Sequence, residues 1–138
     1  MIHKKYPYEM NALTPGQMEE LMSKGYDIRS ASMIWREPVN VQKGHGLETA
    51  SCKGWFITDK IALSLAETLN LLPKAIAPNG KVPKTDLEIT KLDGGRWTIR
   101  YGLLYDIKAD TLLQCAYRTL LWVASEDFKR HYIKRDRG

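Results

Sequence analysis

The stretch DLEITKLDGGRWTIRYGLLYDIKADTLLQCAYRTLLWVA, residues 86–124, decides how the rest of the chain must fold. Trp97, Ile99, Tyr101, Leu103 and Tyr105 fall on alternate positions, with Thr98, Arg100 and Gly102 between them. Strand side chains alternate faces, so this spacing predicts a strand with one apolar face. Its aromatic and β-branched residues suit a pleated surface. Leu87 to Lys91 predicts the partner strand, with Leu87 and Ile89 on one side. Asp93-Gly94-Gly95 joins them as a turn, because glycine reaches positive φ at little cost. After Asp106, the residues Leu112, Leu113, Ala116, Tyr117, Leu120, Leu121, Ala124 and Phe128 recur every three or four positions. That predicts an amphipathic helix, capped by Asp110 (Ala109 is a less favoured cap) and running to about Tyr132. A hairpin face and a helix stripe both need burial, and packing one on the other satisfies both.

Working outward, Thr14-Pro15-Gly16-Gln17 predicts a helix start: Thr14 caps, Pro15 suits the first helical position, and Gln17 completes a capping box. Met18, Leu21 and Met22 form its apolar face, and Gly25 ends it. Tyr26 to Trp35 reads as a strand that Glu37-Pro38 breaks, with Val39 to Gln42 as a short edge strand. Lys43-Gly44-His45-Gly46, and the polar segment up to Gly54, read as a surface loop. Trp55-Phe56-Ile57 returns to the core. A second helix, capped by Thr58 or Asp59, is predicted from the stripe Ile61, Ala62, Leu65, Ala66, Leu69 and Leu72. Lys60, Ser64, Glu67 and Thr68 face away, and Pro73 ends the helix. Ala77 to Lys84 reads as a loop.

The expected fold class is α+β: a single small domain over residues 1–138, with an antiparallel sheet that includes the β-hairpin (86–105) packed against two or three helices. Residues 1–13 form an extended arm bearing Tyr6, Pro7, Tyr8 and Met10. Residues 129–138 form a basic tail whose end is expected to fray. At 138 residues the chain is long enough to bury a core unaided. Its 43% apolar and 27% charged content is ordinary for a globular protein. No apolar run is long enough to span a bilayer. The basic start at Lys4-Lys5 is followed by Tyr6-Pro7-Tyr8-Glu9 rather than an apolar core, so no signal peptide is expected. The expectation is a soluble, cytoplasmic protein that does not engage a membrane.

Few residues point to chemistry. His45 lies between glycines, but His3 and His131 stand at no ligand spacing from it, so no metal is expected. Cys52 and His45 would need a third orienting group to act as nucleophile and base. Ser51 lacks a nucleophile elbow. Cys115 reads as a buried free thiol. Gly94-Gly95 joins antiparallel strands and receives no helix N-terminus, so it is no phosphate loop. Glu19-Glu20 and Glu126-Asp127 form no catalytic pair. No catalytic residue and no cofactor is assigned.

The basic residues carry more. The net charge of +5 permits an acidic partner. Lys91, Arg96 and Arg100 lie on or near the hairpin. Arg118, Lys129, Arg130, Lys134, Arg135 and Arg137 lie on or after the last helix. Should the tail dock beside the hairpin's polar side, these nine form one positive stripe able to hold phosphates.

The order helix, strands, hairpin, helix resembles a double-stranded-RNA-binding domain, which has an α-β-β-β-α arrangement; no third strand is placed between Ile89 and Asp110, and no basic cluster opens the last helix. A second resemblance rests on Leu65 to Pro73, Gly95 to Tyr101, Ala109 to Ala116 and Leu121-Trp122-Val123. These motifs look like small uncharacterised proteins of gut bacteria and their phages, over roughly residues 59 to 125. That resemblance implies an accessory role on a mobile element and transfers no functional residue.

Three functions are therefore expected, in order. The first is a small non-enzymatic interaction protein that binds and modulates a protein partner, favoured by seven Tyr and four Trp. A homodimer through the arm or the hairpin edge belongs to the same class. The alternative is nucleic-acid binding by the hairpin's polar face and the basic tail. The third is an enzyme using His45 or Cys52.

Overall fold

A computed structural model describes residues 11–29, 31–36, 46–49, 60–79 and 83–135, and the architecture is α+β with antiparallel sheets. Several expectations lie outside the described residues: most of the N-terminal arm, the 39–42 strand, His45, Ser51, Cys52, Trp55 to Ile57, the caps Thr58 and Asp59, and Arg137. The chain divides into two compact units, Met1–Glu67 and Thr68–Gly138.

In the first unit the capping box forms as its sequence predicts. Thr14 Oγ1 accepts from the Gln17 amide at 3.4 Å, and Gln17 Oε1 accepts from the Thr14 amide at 3.0 Å. This opens α1, Pro15–Ser23, and Gly25 at φ 95° closes it. Met18 and Leu21 are buried, while Met22 beside them is exposed. The expected 26–35 strand shrinks to β1, Met33–Arg36, because Asp27 folds the preceding segment into a local turn. Its Oδ1 accepts from the Arg29 amide at 3.0 Å, and its carboxylate pairs with the Arg29 guanidinium.

Strand β1 is the centre of a sheet ordered β2-β1-β3, with β2 at Gly46–Thr49 and β3 at Lys60–Ala62. Residues 46–49 are strand rather than loop, and residues 60–62 are strand rather than the first turn of a helix. Ser64 explains the second. Its Oγ accepts from the Glu67 amide at 3.2 Å, while Glu67 Oε1 accepts from the Ser64 amide at 2.9 Å. This capping box starts α2 only at Leu65, and it runs Leu65–Asn70. Ala12, Trp35 and Ala62 form the local core, and Trp35 Nε1 donates to the Leu13 carbonyl at 2.7 Å. Thr68, expected to face outward, is fully buried.

The second unit has two antiparallel sheets. One is ordered β5-β4-β9, with β4 at Ala75–Pro78, β5 at Thr85–Asp86 and β9 at Tyr132–Arg135. Strand β4 lies partly inside the segment read as a loop. Ala75, Ile76 and Ala77 are all buried, a short apolar run of the kind found in central strands. Its partner β9 lies within the segment read as a basic tail. Tyr132 opposes Pro78, Ile133 opposes Ala77, and Lys134 opposes Ile76.

The other sheet is a meander ordered β6-β7-β8. Strand β6, Glu88–Lys91, turns through Asp93–Gly95 into β7, Trp97–Tyr101. The predicted hairpin is present, but its second strand stops at Tyr101. Gly102, at φ 55°, turns the chain into β8, Tyr105–Ala109. This third strand was absent from the sequence reading. Leu103, expected on the buried face, sits in that turn and is fully exposed. Helix α3, Leu112–Val123, packs on β7 and β8. Its cap is Thr111 rather than Asp110, with Thr111 Oγ1 accepting from the Gln114 amide at 3.1 Å. The helix does not continue to Tyr132. Ser125 Oγ accepts from the Phe128 amide at 3.1 Å and starts a separate helix α4, Glu126–His131. Glu126 and Asp127 in its first turn complement the helix dipole.

Candidate interaction surface

The meander's register sorts the predicted cations. Directly opposed residues share a sheet face. Glu88, Arg100 and Asp106 stand in one rung; Thr90, Thr98 and Lys108 stand in the next. Arg100 is thus flanked by two carboxylates, its Nε 3.6 Å from Glu88 Oε2. That distance is an ion pair rather than a hydrogen bond. Lys91 opposes Trp97, on the other face of the sheet, and its Nζ lies 5.7 Å from the Trp97 ring centroid as a cation–π contact. Arg96 precedes β7, with Nε 3.6 Å from Asp110 Oδ1. The hairpin cations therefore do not share one face.

The later cations follow α3, α4 and β9. Arg118 is exposed on α3. Lys129 Nζ lies 3.6 Å from Glu126 Oε1, and His131 Nε2 lies 3.5 Å from Asp127 Oδ1. Arg130 is exposed, and its carbonyl accepts from Asn79 Nδ2 at 2.6 Å. Lys134 is exposed on β9, and the backbone of Arg135 closes that strand opposite Ala75.

What these elements do assemble is an aromatic corner within the second unit. Tyr105 on β8 stacks on Trp122 of α3, with ring centroids 4.0 Å apart and planes 17° from parallel. Phe128 of α4 meets Trp122 edge-on at 4.8 Å. Tyr132 of β9 lies 5.5 Å from Trp122 and 5.4 Å from Phe128. Tyr101 and Phe128 are buried beneath, together with Ile76 and Val123, while Tyr105, Trp122 and Tyr132 are only partly buried. Such aromatic pairs add about 0.5–1.5 kcal/mol each beyond the area they cover.

Hydrogen bonds hold the corner in place. Tyr105 Oη and Thr119 Oγ1 are 3.2 Å apart, and Tyr101 Oη donates to the Pro73 carbonyl at 2.7 Å. Burial raises the Tyr105 phenol above its ordinary pKa, opposed by the Thr119 hydrogen bond and by the nearby Arg118 charge. Burial likewise raises the Cys115 thiol, whose Sγ donates to the Trp97 carbonyl at 3.2 Å. Cys115 is fully buried, as thiols that serve packing are.

This corner is not legible in the sequence. Its rings come from five elements, β7, β8, α3, α4 and β9, and the i, i+4 spacing of Phe128 and Tyr132 is a local signal that reads as helix.

Among the described residues no group of three or more His, Cys, Asp or Glu could hold a metal ion. No helix among them is long and apolar enough to cross a membrane. The first unit carries an open apolar cleft of about 220 Å³ beside α1, lined by Met18, Met22, Ile28 and Ile61 with Glu19 and Lys60. It lacks the convergent polar groups that fix a ligand's orientation. Comparisons with protein-family models, curated proteins and solved structures find no match.

Proposed function

We propose that this is a small non-enzymatic interaction protein that docks and modulates a protein partner through the aromatic corner of its second unit. The observation that carries the reading is the partial exposure of Tyr105, Trp122 and Tyr132, three rings already fixed against one another. Tyr, Trp and Arg dominate the energetics of protein interfaces, and Arg118 lies one helical turn from Trp122. Rings locked before binding lose little conformational freedom on docking. Leu103, fully exposed two residues before Tyr105, adds an apolar side chain to the same connection.

The competing reading, nucleic-acid binding, is less well supported. A base stacks on an open ring face, and the mutual stacking of Tyr105 and Trp122 takes up one face of each ring. The hairpin cations are spread over both sheet faces, and two of them lie against carboxylates.

The test is selection of peptides by the full chain from a random library, followed by affinity measurement on wild type and Tyr132→Ser. Circular dichroism of both proteins verifies folding. Docking at the corner predicts selected peptides whose affinity falls about tenfold in the variant. Peptides that bind both proteins equally would contradict it.

A further inference from the structure

We propose that the segment this corner takes is acidic: a peptide with one bulky apolar side chain for the rings and carboxylates on either side of it. The inference rests on the docking function above and adds the chemistry of the partner.

Charge complementarity carries it. Arg118 stands one helical turn before Trp122 on α3, and Lys134 stands two residues after Tyr132, on the same face of β9. The two cations thus flank the partly buried Trp122 and Tyr132 rings along the two elements that carry them. Both are exposed, and neither has a carboxylate partner among the described residues. From Leu112 to Arg135 the chain carries five Lys and Arg against only Glu126 and Asp127. Those two carboxylates are already engaged, by Lys129 and His131. An acidic segment therefore meets unpaired cations, and a basic one meets only repulsion.

A phosphate backbone would satisfy the same cations. The mutual stacking of Tyr105 and Trp122 argues for an apolar side chain laid against ring edges rather than a base slotted between ring faces.

The experiment uses the full chain and fluorescein-labelled probes: a peptide with a central Phe-Leu flanked by Asp and Glu, its counterparts with Ser/Gln and with Lys flanks, and a single-stranded oligothymidine. Anisotropy gives affinities at low and at physiological salt, for wild type and for Arg118→Glu/Lys134→Glu. Melting curves verify that the variant folds. Arg118→Gln/Lys134→Gln replaces it if the double reversal does not. The acidic peptide should bind most tightly and weaken with salt. The reversal should lower its affinity by about tenfold or more and improve the Lys-flanked peptide; the glutamine pair gives a smaller loss of the same sign.

A neutral or basic peptide that binds as tightly as the acidic one overturns the acidic assignment while docking at the corner stands. So does acidic-peptide binding that ignores both substitutions. If no peptide binds, or only the oligothymidine does, both the assignment and the docking function fall.

Discussion

One oxygen of Glu67 gathers the loop before β1 and the start of α2. Oε1 accepts from the Ser64 amide at 2.9 Å, the Ser32 hydroxyl at 2.9 Å and the Ser32 amide at 3.1 Å. Burial disfavours the charged carboxylate, but the hydrogen bonds from Ser64 and Ser32 outweigh it and hold the pKa below its ordinary value of 4.5. A carboxyl depressed in the folded state stabilises the fold above its unfolded pKa. That stabilisation is lost as pH falls through the folded pKa. Thermal melts should therefore show stability declining as pH drops past 4.5, and Glu67→Gln should flatten that decline while lowering stability at neutral pH. A wild-type profile indistinguishable from the variant's would remove Glu67 from the acid response.

Gly102 is a second residue-scale constraint. Its φ is 55°, and a Cβ there would meet Thr85 Cγ2 at 2.6 Å. Gly102→Ala should destabilise the protein by about 1–3 kcal/mol, and Thr85→Ser, which removes the obstructing methyl, should recover part of that loss in the double variant. Chemical denaturation of the four proteins measures both effects. Additive losses would mean that φ, and not the contact, sets the cost.

At the scale of elements, the break between α3 and α4 shapes the corner, because it lets Phe128 and Tyr132 fold back onto Trp122. Ser125 makes the break, accepting from the Phe128 amide and donating to the Trp122 carbonyl at 2.6 Å. Ser125→Ala should cost about 1 kcal/mol, the usual worth of an N-cap, read as a lower denaturation midpoint. No change would mean that water or the chain itself caps α4 equally well.

The same element shows what a sequence can and cannot reveal. Thr14-Pro15-Gly16-Gln17 was legible because every partner in a capping box is local. So was the Asp93-Gly94-Gly95 turn, since glycine there answers a backbone requirement. Ser125-Glu126-Asp127 carried an equally local start signal, but the unbroken spacing of Ala124, Phe128 and Tyr132 hid it. Ile61 and Ala62 were misread because a three-residue strand beside a helix keeps helical spacing by coincidence. Strand β4 was hidden by Pro78 and Asn79, whose turn chemistry belongs to its end only. The nine candidate cations could be named from sequence, but their distribution over faces depends on strand register. The aromatic corner depends on ring contacts between residues far apart along the chain, as between Tyr101 and Trp122, 21 positions apart.

For the whole molecule, the net charge of +5 sets the sign of the field an approaching partner meets. The C-terminal segment contributes more than charge to it. Strand β9 pairs with the buried β4 and brings Tyr132 to the corner. Ending the chain after His131 should therefore lower the melting temperature and expose core surface to a hydrophobic dye, rather than merely remove a basic tail. A truncated protein that melts like the full chain would show that β9 is dispensable.

The central claim is that a protein segment docks at Tyr105, Trp122 and Tyr132, and a backbone amide shift map of the full chain titrated with the acidic peptide tests it most directly. Docking at the corner predicts shifts concentrated at Tyr105, along Arg118 to Val123 and along Phe128 to Lys134. Shifts centred instead on the Met18–Ile61 cleft, or on the Glu88–Arg100–Asp106 rung, would contradict it.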